Sequence, residues 1–317
     1  MNYICDKHNL NFEYKTSSYR CKKGCNIPIV NNIPRFIEFS NYADSFGFQW
    51  NRFRKTQLDS YTKTNITLKR LHRMLNGSFD LISNKVVLEA GCGAGRFTEI
   101  ILQYCKELYS VDISNAVEAN YLNFNGFSNY NVLQADINCL PFKKNYFDCI
   151  LCIGVLQHTP DTFQALKHLT GHLKKNGLLI FDHYTYGYPV NSSRKFLRKF
   201  LLKIPCKFRF SVCFFIFNCF WPMHVVFNKL KTTKIIFKIR GRFLLISPVV
   251  DYFDSYPMLD AKKQKEWSLL DTHDTLTDFY KHLKSKEEIL EILKKLNLSC
   301  LKIGKSGNGI EVIAKKN

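Results

Sequence analysis

Short apolar runs recur between residues 85 and 183, and each is closed by an acid, a glycine or a histidine. Val86–Leu88 leads to Glu89 and then to glycines at 91, 93 and 95. Leu108–Val111 leads to Asp112, Asn131–Gln134 to Ala135 and Asp136, and Phe147–Ile153 to Gly154. A fifth run, Leu178–His183, follows the turn-like stretch 174–177. Helix-compatible segments, Arg96–Tyr104 and Asp161–Leu173, lie between the runs. This alternation predicts an α/β fold with a doubly wound, mostly parallel sheet. The pattern resumes near the C-terminal end. Ser285–Leu298 is amphipathic, and Leu298–Ile303 and Ile310–Ala314 predict two strands joined by a glycine-containing turn, an antiparallel hairpin.

The first run, VVLEAGCGAGRF, reads as strand, tight turn and helix. Glycines there let the backbone turn sharply and let a ligand lie directly on it. The free N–H groups of the helix that follows favour polar or anionic groups. Asp112 stands about twenty residues further on, where a carboxylate accepts both hydroxyls of a ribose. Acids at the carboxyl ends of successive strands line one crevice of such a sheet.

Together EAGCGAGRF, YSVDIS, LQADINCLPF, FDCILCIGVLQH and HLKKNGLLIF resemble the class I S-adenosylmethionine-dependent methyltransferases, in the branch called methyltransferase type 11. The resemblance covers roughly Lys85–Asp182. It implies a seven-stranded Rossmann-like sheet closed by the C-terminal hairpin. It also implies S-adenosyl-L-methionine as cofactor. Glu89 and the backbone of Gly91, Gly93 and Gly95 would hold its methionine part, Asp112 its ribose, and Asp136 with Ile137 its adenine. Ile153 and Gly154 would offer backbone groups to the amino-acid end.

Upstream, Cys5 and His8 form one close pair and Cys21 and Cys25 another, twelve residues apart. Four such ligands suit a structural, tetrahedral zinc. With Asn26–Phe36 they resemble the zinc-ribbon leader of some methyltransferases, although a histidine replaces one cysteine and the second pair is one residue wider than usual. The plain alternative is a small β-hairpin with free cysteines. Tyr42–Tyr61 contains a Phe-x-x-Gln-Trp and a Gln-Leu-Asp that in relatives precede the domain as a flap over the cofactor. Phe46, Trp50 and Gln57 are its candidates, and Thr67–Leu75 reads as a helix. The expected organisation is a leader over 1–40, a flap over 41–84, the methyltransferase domain over 85–183 and 285–317, and a helical insertion over 184–284.

Charge changes the picture of the flanks. The formal charge of +20 divides into +7 for residues 1–84, −1 for 85–183 and +14 for 184–317. The central domain is neutral, and the segregation favours an anionic partner for the flanks. No acid occurs between Asp182 and Asp251. Ser193–Lys207 places Leu197, Phe200, Leu201 and Ile204 on one helical face, surrounded by Arg194, Lys195, Arg198, Lys199 and Lys203. Ser211–Phe227 is nearly all apolar but is interrupted by Asn218, Pro222 and His224, which breaks it as a membrane span. The stretch reads either as a membrane-surface element or as a lid over the site. The start, MNYICDKHNLN, lacks an apolar run, and twelve cysteines without an export signal suggest reduced thiols. The expected location is cytoplasmic, peripheral on the inner face of the membrane in the first reading.

An acceptor hydroxyl needs a base, and histidine has the suitable chemistry. His158, after the fourth strand, is the first candidate and His183 the second. Asp271, His273 and Asp274 form a polar cluster able to reach the acceptor or orient the base. The surrounding Trp-x-x-Leu-Asp-Thr-x-Asp is similar to relatives found with polysaccharide and glycolipid biosynthesis. The Asn/Asp-Pro-Pro-Tyr element that relatives use on exocyclic amines is absent. The expected function is therefore O-methylation of a small-molecule or lipid-linked glycan acceptor. An RNA methyltransferase using the basic flanks is the alternative, and a non-catalytic cofactor-binding protein is the third reading.

Overall fold

A computed structural model describes residues 3–5, 7–37, 42–187, 191–231, 234–307 and 309–317. The leader is a five-stranded antiparallel sheet of β1 (Ile4–Cys5), β2 (Leu10–Lys15), β3 (Ser18–Cys21), β4 (Asn26–Val30) and β5 (Ile33–Pro34), in sequential order. Three flap helices follow: α1 (Asp44–Arg52), α2 (Asp59–Thr62) and α3 (Ile66–Met74). The expected leader–flap boundary at 40/41 lies outside the described residues.

The alternating segment then runs β6 (Val86–Ala90), α4 (Thr98–Ile101), β7 (Glu107–Asp112), α5 (Ala116–Phe124), β8 (Tyr130–Gln134), β9 (Phe147–Cys152), α6 (Thr162–His172) and β10 (Leu173–Tyr184). The insertion contributes α7 (Ser192–Leu201), α8 (Cys206–Leu230), α9 (Lys234–Ile246) and α10 (Ala261–Thr277). The chain closes with α11 (Lys286–Lys295), β11 (Leu298–Ser306) and β12 (Gly309–Lys316). The main sheet has seven strands in the order β11-β12-β10-β9-β6-β7-β8. β10, β9, β6, β7 and β8 pair in parallel, and β12 is antiparallel to β10 and β11.

Successive residues on a strand point to opposite faces, so each apolar run feeds two cores. Leu88 and Ile150 belong to the core on one side, Val87 and Leu151 to the core on the other. Burial on both faces is why these strands are continuous apolar runs rather than alternating ones.

Three expectations shift, and one stretch left unassigned gains an element. The first helix is a single turn, α4, rather than Arg96–Tyr104. β10 starts at Leu173, and a register break between Leu173 and Leu178 absorbs the stretch expected to be a turn. Glu266–Leu276 falls inside the long α10. The expected breaks at Asn218, Pro222 and His224 do not interrupt α8, which runs 25 residues through Pro222. The polar side chains are satisfied within the insertion. Asn218 donates to the Phe214 carbonyl at 2.8 Å, and His224 is bonded to Asp251 and Ser247.

The apolar face read on α7 also divides. Leu201 is buried with Leu276 and Cys213, whereas Phe200 is exposed beside Phe196. Arg194 donates to the Val249 carbonyl and Arg198 to Asp278, so both belong to the interior contacts of the insertion.

One side chain joins the leader to the sheet. Arg35, with its side chain fully buried, donates to Gln134 Oε1 at 2.9 Å and to Glu118 Oε1 at 2.8 Å. Beside it the Phe36 N–H donates to the Gln134 carbonyl at 2.8 Å. Arg35→Ala strands buried acceptors, a loss of roughly 1–3 kcal/mol. Thermal unfolding should show a lowered Tm; an unchanged Tm would mean that the leader is not energetically coupled to β8.

Candidate cofactor and acceptor site

β6, β7, β8 and β9 end at one edge of the sheet, where a cavity of about 420 Å3 opens. This size is within the range of small-molecule sites. Gly91, Gly93, Asp112, Ile113, Asp136, Ile137, Ile153 and Gly154 line one side. Gly91 adopts a φ of 81°, and a Cβ there would stand 2.2 Å from the Val155 side chain. Gly95 does not line the cavity; a Cβ on it would meet the Phe124 ring at 2.1 Å.

The half-buried carboxylate of Asp112 braces the glycine loop. Asp112 Oδ2 accepts the Gly93 N–H at 2.9 Å, and Oδ1 accepts from the Ser114 backbone and hydroxyl at 2.8 and 2.7 Å. Burial raises its pKa above the ordinary carboxylate value. Glu89, expected against the cofactor, lies behind the wall. Its Oε2 accepts from Thr98 at 2.5 Å and from Ser110 at 2.9 Å, and burial pushes its carboxyl up to about 7. Its place at the end of a strand, one residue before the turn, aims it beneath the loop rather than into the cavity. Asp136 Oδ1 accepts from the Asn138 backbone and side chain at 2.8 and 2.9 Å and remains on the cavity wall.

The opposite wall is built by the flap and the insertion. Tyr42, Phe46, Trp50 and Gln57 come from the flap, and Val250, Tyr252, Tyr256, Trp267, Asp271 and Asp274 from the insertion. Asp271 accepts from the hydroxyl of Tyr252, from Trp267 Nε1 at 3.1 Å and from Gln57 at 3.4 Å; burial pushes its carboxyl up to about 7. Arg96 enters the cavity beside the glycine loop, donating to Thr67 at 3.2 Å and Gln57 at 3.3 Å. Its buried Nη2 has no hydrogen-bond partner among the described residues. A guanidinium N–H left open beside a glycine cradle fits a ligand with an anionic end.

The three histidines part company. His158 lines the cavity between the rings of Phe46 and Tyr184. Its Nδ1 is 3.0 Å from the Tyr280 carbonyl and 3.5 Å from Asp278 Oδ2. A carbonyl only accepts, so Nδ1 carries the proton and Nε2 is the basic nitrogen of the neutral ring. His183 is fully buried away from the cavity, with Nε2 on Thr162 at 3.1 Å and Nδ1 on the Tyr184 carbonyl at 2.8 Å. His273 is buried behind the wall, with Nδ1 on Gln49 at 2.7 Å. Burial holds both rings neutral, down to about 4. Neither lines the cavity, which corrects the candidacy of His183 as a base and of His273 as a group reaching over the acceptor.

Asp278 and Tyr280 were not singled out from the sequence, and Arg198 was read there only as part of the basic surround of its helix. Arg198 Nε donates to Asp278 Oδ1 at 2.6 Å, and Asp278 stands beside His158 although 120 residues separate them. No spacing signal exists at that range.

In the leader, the His8 Nδ1 lies 3.5, 3.3 and 3.5 Å from the sulfurs of Cys5, Cys21 and Cys25, and all four donor atoms fall within 4.8 Å of one another. A tetrahedral zinc with ordinary Zn–S and Zn–N bonds sets nitrogen and sulfur about 3.6 Å apart, so the donor set fits that ion.

Residues 88–181 match the family model described as a methyltransferase domain. This part of the chain is a methyltransferase domain. Its cofactor is S-adenosylmethionine. Over 123 residues this chain is 29% identical to a ubiquinone biosynthesis O-methyltransferase of Rickettsia felis, covering 37% of this chain and 48% of that one. Over 158 residues it is 30% identical to a protein of the same name from Coxiella burnetii, covering 49% and 64%. A tRNA U34 carboxymethyltransferase of Nautilia profundicola is 29% identical over 133 residues, 41% of each chain. The chain thus spans about half the length of the curated relatives it matches. Among solved structures, a SAM-dependent methyltransferase from Aquifex aeolicus aligns over 88% of this chain and 100% of its own, at 13% identity and a TM-score of 0.46.

The methyltransferase domain places Asp112 at the carboxyl end of β7. Each charge-assisted hydrogen bond to a ribose hydroxyl contributes roughly 1.5–3 kcal/mol. Asp112→Ala should lower S-adenosylmethionine affinity by about tenfold or more in calorimetry. Because Asp112 also holds the glycine loop, Asp112→Asn is the paired variant, retaining the side chain's shape but not its charge. Unchanged affinity in both would remove this strand end from the cofactor site.

Proposed function

We propose that this protein transfers the methyl group of S-adenosylmethionine to a hydroxyl of a sugar or glycolipid-like acceptor. The observation that carries the reading is His158 in the cavity wall, with Nδ1 satisfied by the Tyr280 carbonyl, the Asp278 carboxylate beside it, and Nε2 left as the base. In this assignment Asp112 would hold the ribose, Asp136 and Ile137 the adenine, and the Gly91–Gly95 backbone with Ile153 and Gly154 the methionine part. Arg96 complements the carboxylate. The cofactor supplies an electrophilic methyl.

The chain's residues then do three things. They hold the acceptor in line with that methyl, and proximity contributes much of the rate. The flap and insertion exclude water. His158 Nε2 accepts the hydroxyl proton as the new C–O bond forms, while Asp278 stabilises the charged ring. Tyr252, Tyr256 and Trp267, with the carboxyl groups of Asp271 and Asp274, offer flat apolar faces and polar partners to a hydroxylated ring. Relatives named as ubiquinone O-methyltransferases support transfer to oxygen. The relative named for tRNA U34 keeps RNA as a second reading.

Cofactor turnover on a panel of glycan, glycolipid and RNA acceptors tests the choice. The expected product is a methyl ether on a hydroxylated or lipid-linked acceptor; turnover on RNA alone would overturn it, and no turnover at all would favour a binding protein. His158→Ala should lower kcat about 10²–10⁴-fold with S-adenosylmethionine affinity within about twofold. Retained kcat would remove His158 as the base.

We also propose that Cys5, His8, Cys21 and Cys25 hold a structural zinc, since four donors leave no position for substrate. Elemental analysis of protein made with zinc supplied should find about one ion per chain, lost in Cys21→Ser. Metal-free protein with an intact leader would leave it a plain β-sheet.

A further inference from the structure

We propose that helices α7–α9 form a docking surface for an anionic lipid bilayer, lying on the leaflet rather than crossing it. The surface itself is argued independently of the acceptor; only its use, presenting the cavity to a lipid-linked acceptor, rests on the function proposed above.

The insertion buries part of its polar set and exposes part of its apolar set. Arg240 and His224 face inward. Arg240 is 4% exposed and donates to Asp251 at 3.1 Å and Asp254 at 2.5 Å. His224 is 1% exposed, bonded to Asp251 at 2.5 Å and Ser247 at 2.7 Å. Several large apolar side chains face outward on the same helices. On α9, Ile235 and Leu245 are 73% and 70% exposed; on α8, Phe215 is 69% exposed; on α7, Phe196 is 73% exposed. An aqueous surface gains nothing from this arrangement, and clustered exposed apolar groups mark an interaction face. α8 has the length and apolar composition of a membrane span, yet only 28% of its most apolar stretch is buried. Phe217 and Trp221 on its inner side pack against Leu270 and Val249. A helix pinned along one side by its own domain lies on a bilayer instead of spanning it.

Charge selects the occupant. Thirteen basic residues lie between Arg194 and Arg242 with no acid among them, and eight are exposed. On α7 the exposed positions after Ser192 are Lys195, Phe196, Lys199 and Phe200, followed by Lys203 beyond its end, so phenylalanine and lysine share one face. Anionic headgroups pair with the lysines while the acyl region takes the rings. A second copy of this chain is disfavoured, because two acid-free basic faces repel. RNA would meet the lysines but would leave Ile235 and Leu245 without a stacking partner.

The test uses the full chain and sedimentation with vesicles of phosphatidylcholine alone or mixed equally with phosphatidylglycerol. Binding to the anionic vesicles is expected to exceed binding to neutral ones by about tenfold or more at low salt, and to weaken as salt rises toward about 0.5 M. Replacing Lys195, Lys199, Lys203 and Lys207 together by Glu should remove at least about tenfold of that binding. Arg194 and Arg198 are left intact because they hold the insertion together. Phe196→Ser with Phe200→Ser should weaken the salt-resistant remainder. S-adenosylmethionine affinity, expected to stay within about twofold in every variant, reports that the chain is folded and separates this test from that of the proposed reaction. The proposal is overturned by absence of binding to anionic vesicles at low salt, by equal binding to both vesicle types, or by surface variants that bind like the parent. It is also overturned if the same lysines and phenylalanines instead govern RNA binding or self-association.

Discussion

One buried carboxylate, Asp182, ties together the parts that make the cavity. It sits near the end of β10, 1% exposed. Its Oδ1 accepts the Gly154 N–H at 2.6 Å, which fixes the loop after β9. Its Oδ2 accepts from Arg70 at 2.6 Å, which fixes the flap helix α3. A charge in that position is costly unless it is paired and hydrogen-bonded. The sheet edge, the loop and the flap therefore have one arrangement in which all three are satisfied. Arg70 lines the cavity from that anchor, so the wall is held by the same ion pair that keeps the flap closed on the sheet.

The residues after Asp182 show what a linear reading reaches and where it stops. Strands and the glycine turn were legible because buried parallel strands write themselves as unbroken apolar runs ending in acids. The side on which a strand-end residue falls was not. His183 follows Asp182 by one residue, and alternation turns it away from the cavity toward Thr162. His158 and Asp278 meet only because the insertion folds back. Residues 174–177 read as a turn because their lysines and glycine favour one locally; the sheet carries them as an irregular strand instead. Glu89 and Gly95 were legible as essential to the turn, but both act from behind it.

The insertion resisted reading for a related reason. Asn218, Pro222 and His224 are breakers by local chemistry, and each would end a helix that had to stand alone. In α8 the partners that neutralise His224, Asp251 and Ser247, arrive from more than twenty residues later. Local preference lost to tertiary satisfaction. The same partners explain why the polar groups of this segment are hidden. The acids absent from residues 183–250 are supplied by Asp251, which is buried against Arg240, and by Asp254, which is half exposed and pairs with Arg240 and Lys231, so the other exposed lysines of the segment have no acid within it to offset them.

The neck of the insertion has an evolutionary consequence. The segment leaves the sheet after Tyr184 and returns at Lys284, whose N–H donates to the Tyr184 carbonyl at 2.9 Å. Its two ends are thus joined by a backbone hydrogen bond, next to the antiparallel pairing of His183 with Ile310. Loop-closure cost grows only slowly with length once the ends are held together. Descendants of such a chain are free to lengthen, trim or exchange everything between those two residues while inheriting the strand register unchanged. Diversification would then strike the acceptor wall first and the cofactor loop last.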